Sequence, residues 1–293
     1  MYVLENNRLK VEVAAPGEVY RGPRFDWTGF VTQVTLDKRV TYCVPERLES
    51  EAGTGGIGLS NEFGIDTPLG YDEVEVGEQF PKIGVGLLTK KEDSAYDFFY
   101  KYDVTPIDVK VNKTGQTLTF DSATESLHGY GYRLLKKIAL DHNKLTISYT
   151  LKNIGTLAFK TNEYSHNFIG INNQIVNENY QLTLPNMRHL DVTVGTIKKT
   201  NQQLTWPVRP KGDFYAHIDL DQSLTSEKYH WDLYHQTVRA GVRELNAFEP
   251  AKMALWGRAH VVSPEVFVNI DLAPGETQMW ERCYQFYQKE SSR

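Results

Sequence analysis

The sequence has few cysteines, no excess of positive charge and no long apolar run. Only Cys43 and Cys283 occur among 293 residues, which excludes a secreted scaffold held by closely spaced disulfides. Lysine and arginine total 32 against 37 acidic residues, a net charge of −5, and they form no stripe of the kind that binds nucleic acids. We therefore expect no nucleic-acid partner.

Membrane and export signals are missing as well. No apolar run reaches the roughly 18 residues of a transmembrane helix, and the first residues, MYVLENNRLKVEV, lack the basic and then apolar pattern of a signal peptide. These features predict a soluble, cytoplasmic protein without membrane contacts. A homodimer is compatible with the sequence, which does not fix the oligomeric state.

Strand patterns dominate what is present. Segments such as RLKVEVAA, GFVTQVTL, KLTISYTLKN and VFVNIDLA alternate or are rich in β-branched residues, and turn formers such as Ala15-Pro16-Gly17 and Ala273-Pro274-Gly275 separate them. Sustained helical periodicity is scarce, with residues 224–236 as the best short helical candidate. We predict an all-β chain that folds as one antiparallel domain over residues 1–293.

Polar residues alternate in the segment NEYSHNF. If it is a strand, Asn162, Tyr164, His166 and Phe168 share one face, and Glu163 lies on the other. An amide, a phenol and an imidazole in one row favour a pocket wall, because a buried row would need a partner for every polar atom. The alternative is a core histidine bonded to a backbone carbonyl.

A carboxylate stands in an apolar setting near the end of the chain, in VVSPEVFVNIDL. Alternation places Ser263, Glu265 and Phe267 on one face of this strand, with valines opposite. Burying a carboxylate is costly unless it is paired or used in chemistry, so Glu265 is a candidate site residue. A solvent-exposed glutamate on an edge strand is the alternative.

These segments resemble the galactose mutarotase-like superfamily, the aldose 1-epimerases and their relatives. RLLKKIALDHNKLTISYTLKNIGTLAFKTNEYSHNF is similar to the paired strands that lead to the family's central histidine. MALWGRAHVVSPEVFVNIDLAPGETQMWERCYQFY is similar to its closing section, where a glutamate precedes an L-x-P-G-E turn and a final aromatic strand. GGIGLSNEFGI loosely resembles a glycine-rich segment of the sugar-phosphate epimerase branch.

The resemblance implies a supersandwich of large twisted antiparallel sheets with a carbohydrate site on the concave face. It also implies an isomerase that interconverts the anomers of an aldose by opening the ring at C1, with His166 as general acid and Glu265 as general base. Glu249 is the other candidate for the base. No metal or cofactor is implied. The residues expected to bind the sugar are Arg47, Asn61, Glu62, Asn162, Tyr164 and Trp256, with Trp231 as a further stacking candidate.

One departure keeps other functions open. The family's earlier second histidine has no counterpart in EQFPKIGVGLL, where Lys82 is the nearest polar group. A carbohydrate-binding protein without turnover, or an oligosaccharide lyase or hydrolase on the same fold, is therefore an alternative.

Three other motifs are set aside. GTGGIG contains G-x-G-x-x-G but lacks the strand before it and the helix after it that a dinucleotide site needs. His230 and His235 in YHWDLYH are expected at the surface or a pocket rim and not on a metal. Cys43 is expected to be a buried structural thiol.

Overall fold

The computed structural model describes residues 1–49, 53–221, 228–245 and 247–290, and nearly all regular structure in these ranges is β. Its strands form two sheets of ten and one of three, and every pairing is antiparallel. The helical elements of the described ranges are two single 3₁₀ turns, Tyr71–Glu73 and Ile171–Asn173. The prediction of an all-β fold with large antiparallel sheets is confirmed.

The first sheet carries both of the segments singled out in the sequence. In spatial order it contains β1 (Tyr2–Glu5), β2 (Leu9–Ala14), β3 (Phe30–Leu36), β5 (Leu59–Phe63), β13 (Phe159–Asn167), β22 (Val261–Leu272), β21 (Lys252–Arg258), β18 (Phe214–Leu220) and β15 (Met187–Val194), with β4 (Val40–Thr41) paired to β3.

The second sheet packs against the first. In spatial order it contains β16 (Lys198–Thr200), β17 (Gln203–Thr205), β14 (Tyr180–Thr183), β19 (Tyr229–His235), β20 (Ala240–Leu245), β23 (Thr277–Gln288), β12 (Lys144–Asn153), β11 (Tyr132–Asp141), β10 (Thr117–Ala123) and β9 (Val109–Thr114).

The hydrophobic core lies between these two sheets. Alternate residues of β12, such as Ile147 and Leu151, belong to the same buried cluster as Val266 and Val268 of β22. Burying each aliphatic side chain of this size contributes roughly 1.5–3 kcal/mol relative to leaving it exposed. The period-two pattern of the strands therefore fixes which face of each strand turns inward.

Strand β13 is polar on its inner face as well as on its outer face. Glu163 receives hydrogen bonds from Arg282 of β23, with Nη2 at 2.8 Å from Oε2, and Asn167 accepts one from the Tyr284 hydroxyl at 3.0 Å. Tyr164 and His166 point the other way, to the outer face of the first sheet. The predicted alternation along this strand is confirmed.

A small third sheet sits over one end of that outer face. It consists of β6 (Gln79–Lys82), β7 (Gly86–Thr89) and β8 (Val104–Pro106). Phe80 and Leu88 of this sheet share a buried cluster with Phe25 and with Phe168, which directly follows β13. The segment between β7 and β8 consequently lies beside the outer face of β13.

The glycine-rich run GTGGIG forms the turn that leads into β5 of the first sheet. Gly58 has φ 63° and a Cβ built on it would lie 2.2 Å from the carbonyl oxygen of Val31, so the turn before β5 accepts no side chain there. Beyond that turn, Leu59 pairs with Val31 of β3. A tight turn with a close backbone approach accounts for this part of the run without a nucleotide.

The helical prediction for residues 224–236 is wrong over its described part. Tyr229–His235 forms β19, paired with β14 and β20, and residues 224–227 lie outside the described residues. His230 and His235 are both buried, not at the surface or a pocket rim. Burial in the core with Trp231 and Leu233 outweighs the weak helical spacing.

Cys43 is buried and unpaired, as expected, and burial raises its pKa to about 12. Nothing helical in the described residues combines the length and apolar character of a bilayer span.

Candidate functional site

Neighbouring strands bring the two leading candidates into contact. His166 on β13 and Glu265 on β22 both face the outer side of the first sheet, and the imidazole Nε2 lies 3.2 Å from Glu265 Oε1. Ser263, two residues before the glutamate, lies 2.8 Å from His166 Nδ1 and donates a hydrogen bond to Glu265 Oε1 at 3.1 Å. All three side chains are nearly buried.

The serine fixes where the imidazole proton lies. A hydroxyl has one hydrogen, so a serine that donates to Glu265 Oε1 must accept from His166 Nδ1. With this assignment Nδ1 carries the proton of the neutral ring, and the lone pair of Nε2 faces Glu265.

Burial favours the uncharged form of each partner. It lowers the pKa of His166 well below its usual value, with the charge of Arg24 adding to the effect. Burial raises the pKa of Glu265 to about 8, although Arg24 and the Ser263 hydrogen bond act in the opposite direction. At neutral pH we therefore describe the pair as a neutral imidazole beside a protonated carboxyl and not as an ion pair.

Aromatic contacts hold the imidazole in place. Phe168 stacks on its face with ring centroids 4.1 Å apart, and Trp256 approaches edge-on at 5.0 Å. Phe25 makes a second edge contact at 6.2 Å. These rings pack around the histidine, and its Nε2 lies against Glu265.

The pair opens into a cavity of about 390 Å³, which is within the usual range for small-molecule sites. Its walls combine aromatic side chains with six charged groups and the His166–Glu265 pair. The lining residues are Arg24, Glu46, Arg47, Ile65, Asp66, Phe98, Phe99, Tyr164, His166, Asp213, Tyr215, His217, Lys252, Trp256, Glu265 and Phe267.

Arg24 is a buried cation in the cavity wall. Its guanidinium donates to Glu62 Oε2 at 2.8 Å, to the Tyr164 hydroxyl at 2.8 Å and to Thr54 Oγ1 at 3.0 Å. The Phe98 ring covers it at 4.3 Å. Three of its five N–H groups are used in these bonds, so its position is fixed by the protein before any ligand arrives.

Lys82, the nearest polar group in the segment EQFPKIGVGLL, does not line the cavity. Its Nζ bonds to the Gly64 carbonyl at 2.9 Å and the Tyr96 hydroxyl at 3.1 Å, and lies 3.4 Å from Glu62 Oε1. Burial lowers its pKa to about 8. Lys82 therefore supports Glu62 from behind and does not face a substrate.

Of the six expected sugar-binding residues, three line the cavity, one lies beneath it and two lie away from it. Arg47, Tyr164 and Trp256 line the cavity, whereas Glu62 lies beneath it with its oxygens occupied by Arg24, Tyr164 and Lys82. The first three can touch a ligand directly, and Glu62 can act only through the side chains that it holds.

Asn61 and Asn162 lie away from the cavity. Asn61 faces the interior, where it donates to Glu163 and accepts from Lys136, because adjacent residues of β5 point to opposite faces. Asn162 is on the outer face but further along β13, opposite Asn269. Contact of either amide with a sugar in this cavity has no support from the structure.

Two other candidates are separated from His166. Trp231 is buried in the second sheet, where its indole donates to Glu244. Glu249 is exposed and lines a different cleft, of about 520 Å³, with Phe248 and Met279. That cleft contains no histidine, so the geometry favours Glu265 over Glu249 as the partner of the imidazole.

Several residues that line the cavity were not predicted from the sequence. Arg24, Phe98 and Phe99 come from irregular segments, and Tyr215 and Asp213 from the start of β18 and the residue before it. Strand periodicity gives no signal in such segments. A cluster of four aromatic residues in AYDFFY was the one available hint of a stacking surface.

No cluster of three or more His, Cys, Asp and Glu side chains suited to a metal ion occurs in the part of the chain that the structure describes.

No protein-family model and no curated protein matches the sequence. Solved structures do match the fold. Slr1438 from Synechocystis sp. PCC 6803 is similar with a TM-score of 0.62 and 13% identity, covering 98% of this chain and 96% of that one. A galactose mutarotase-like protein from Lactobacillus casei ATCC 334 has a TM-score of 0.60 and 13% identity, covering 98% and 100%.

A GalM/aldose epimerase homologue from C. elegans is also similar, with a TM-score of 0.55, 9% identity and 97% coverage of both chains. At such low identity these likenesses show the fold alone. The chain therefore has the galactose mutarotase-like fold that its sequence resembles.

Proposed function

We propose that the protein is a carbohydrate epimerase that interconverts the anomers of an aldose by opening and reclosing its ring. The observation that carries the proposal is the 3.2 Å contact between His166 Nε2 and Glu265 Oε1 at the cavity wall. Ring opening needs one group to take the proton of the anomeric hydroxyl while another protonates the ring oxygen. Because both oxygens are bonded to C1, the two protein groups must be adjacent as well.

The proton positions support a definite first step. Nε2 of the neutral His166 takes the proton from the anomeric oxygen, and the Glu265 carboxyl gives its proton to the ring oxygen. The electrons of the bond between C1 and the ring oxygen go to that oxygen, and the anomeric oxygen becomes the aldehyde. Rotation about the C1–C2 bond and reversal of both transfers give the other anomer and restore the pair.

These roles are the reverse of those that the resemblance assigns. The difference concerns the starting state only, since each group donates in one direction of the reaction and accepts in the other. Arg24, held at the cavity wall by Glu62 and Tyr164, supplies a fixed positive charge where oxygen atoms gain electron density.

The test is anomer exchange followed by polarimetry and one-dimensional NMR on a panel of freshly dissolved aldoses. The proposal requires at least one sugar on which wild-type protein outpaces His166→Ala and Glu265→Gln. Asp271→Asn serves as a folded control, since Asp271 pairs with Lys160 on the same sheet and does not line the cavity. Equal rates for wild type and both variants on every sugar would refute an epimerase.

A sugar-binding protein without turnover is the second candidate, favoured by the lack of a histidine in EQFPKIGVGLL, where the resemblance leads us to expect the family's second one. Here a sugar raises the melting temperature while its anomer exchange stays at the rate of buffer alone. Release of new reducing ends from an oligosaccharide would instead indicate the lyase or hydrolase alternative.

A further inference from the structure

The charges around the cavity are balanced and mutually occupied. Arg24 pairs with Glu62 at 2.8 Å, and Lys252 lies 3.8 Å from Asp66. Arg47 makes a two-pronged contact with Asp213, at 3.1 and 3.2 Å. The basic residues of the wall are Arg24, Arg47 and Lys252, and its carboxylates, apart from Glu265, are Glu46, Asp66 and Asp213.

Asp213 occupies a second arginine as well. The Nε of Arg258, at the end of β21, lies 2.7 Å from Asp213 Oδ1, the same oxygen that Arg47 approaches. One carboxylate at the cavity wall thus holds two guanidinium groups. Bidentate arginines are the usual protein ligands of phosphate and carboxylate groups, and Asp213 takes that place here.

Building on the proposed function, we infer that the cavity takes an uncharged reducing sugar, and that Asp213 is the residue that discriminates against anionic ones. A sugar phosphate or a uronic acid would bring negative charge next to Glu46, Asp66 and Asp213, where each cation of the wall already has a carboxylate partner. At these short distances and in partly buried surroundings, salt screens such repulsion poorly.

The remaining walls suit a neutral ring. Trp256, Phe98, Phe99 and Phe267 present aromatic surface to the cavity, and such surface packs against the C–H faces of a sugar. The carboxylates Asp66 and Asp213 are acceptors for hydroxyl groups. Apolar faces combined with hydroxyl acceptors are what an unmodified pyranose requires.

A more basic cleft nearby does not change this assignment. Arg209 and Lys211 line it with Arg258, but both are exposed, and neither His166 nor Glu265 borders it. A substrate held there by its anionic group would still have to place its C1 in the cavity, past Asp213.

The experiment compares matched sugars on the full chain. A neutral aldohexose, its 6-phosphate and its uronic acid are assayed for kcat/KM by NMR exchange and for affinity by calorimetry. We expect wild type to favour the neutral sugar by about tenfold or more, and Asp213→Asn to reduce that preference at least fivefold by releasing Arg47 and Arg258. Asp271→Asn is the control, because Asp271 pairs with Lys160 on the same sheet away from the cavity.

The outcomes separate this inference from the proposed function. Preference of wild type for an anionic sugar overturns the inference and leaves an epimerase in place. If no sugar is turned over, the epimerase falls and calorimetry decides, since equal or tighter binding of the anionic sugar overturns the inference. A folded Asp213→Asn that keeps the wild-type preference removes Asp213 as its cause. Should that variant not fold, Asp66→Asn removes another carboxylate of the cavity wall and should also reduce the preference, and an unchanged preference in that variant counts against charge as the reason.

Discussion

The two faces of the first sheet carry two buried carboxylate sites, Glu163 of β13 and Glu265 of the neighbouring β22, which differ in how fully they are paired. On the inner face, Glu163 receives hydrogen bonds from Asn61, Trp280 and Arg282, and Arg282 in turn bonds to Glu244. On the outer face, Glu265 has one hydroxyl donor and an imidazole with a free lone pair. Saturated pairing makes the first site structural, whereas the second keeps a proton available beside a cavity.

Removing each carboxylate in turn tests most directly whether the two sites have different roles. Glu265→Gln should lower the anomer exchange rate by about 10²–10⁴-fold, because the amide cannot transfer the proton. The urea midpoint should stay at or above the wild-type value, since no ionised group is stranded. NMR exchange and urea unfolding measure the two effects. A variant that unfolds more easily and exchanges at the wild-type rate would assign Glu265 to structure.

The matched change on the inner face should have the opposite profile. Glu163→Gln leaves Arg282, which is fully buried, with one carboxylate fewer, and breaking a buried pair in this way costs about 3–5 kcal/mol. Denaturant unfolding should show that loss, while the folded fraction keeps its turnover. Stability close to wild type would mean that Glu244 alone satisfies the arginine.

Strand alternation explains how much of this arrangement was predictable. His166 and Glu265 were placed correctly on their faces because side chains in strands repeat every two residues and both strands are buried on both sides. The same rule shows why Asn61 and Glu62 could not both bind one ligand, since neighbours on β5 point apart. Register between strands that are distant in sequence, such as Tyr164 of β13 opposite Phe267 of β22, is a property of the assembled sheet and leaves no local trace.

Irregular segments account for the rest. Arg24, Asp213 and Phe98 reach the cavity from loops, where position depends on the surrounding packing and not on a repeat. The helical prediction near Tyr229 failed for a related reason, because pairing with β14 and β20 overrides weak local spacing. The sequence therefore predicted the fold and the contact between His166 and Glu265 better than the walls of the cavity.

The pH dependence sharpens the contrast between the faces. With the pKa of Glu265 at about 8, the outer pair keeps its proton at neutral pH and loses it above that value, so the exchange rate should be level near pH 7 and fall about tenfold per unit above pH 8. Because the pKa of His166 is lowered, the protonation of Nε2 that would stop it from accepting a proton occurs only at acid pH. A rate that keeps rising above pH 8 would contradict a protonated Glu265.

The raised pKa of Glu265 has a consequence for stability. The folded chain binds the Glu265 proton more tightly than the unfolded chain, so this contribution is fully present below pH 4.5 and is lost as the pH rises through about 8. A tenfold difference in proton affinity between the folded and unfolded chains corresponds to about 1.4 kcal/mol of unfolding free energy. Melting temperatures of wild type should decline across this range more than those of Glu265→Gln, and parallel declines would show that other groups dominate.

The smallest expected effect distinguishes two serines on opposite faces of the first sheet. Ser263 bonds to the reactive pair, whereas Ser165 donates to Asn167 in the interior at 2.9 Å. Ser263→Ala removes two hydrogen bonds, one to each member of the pair, and a net cost of about 0.5–1.5 kcal/mol corresponds to a rate loss of up to about tenfold. Since the hydrogen bond to Glu265 lowers the pKa of that carboxyl, its loss should also move the alkaline limb of the rate profile to higher pH.

Ser165→Ala should leave that limb unmoved, because its hydroxyl touches neither member of the pair. A shift of the limb in both variants would mean that the two faces of β13 are coupled through the strand. In that case the fully paired inner site also sets the proton affinity of the outer one, and its role is no longer only structural.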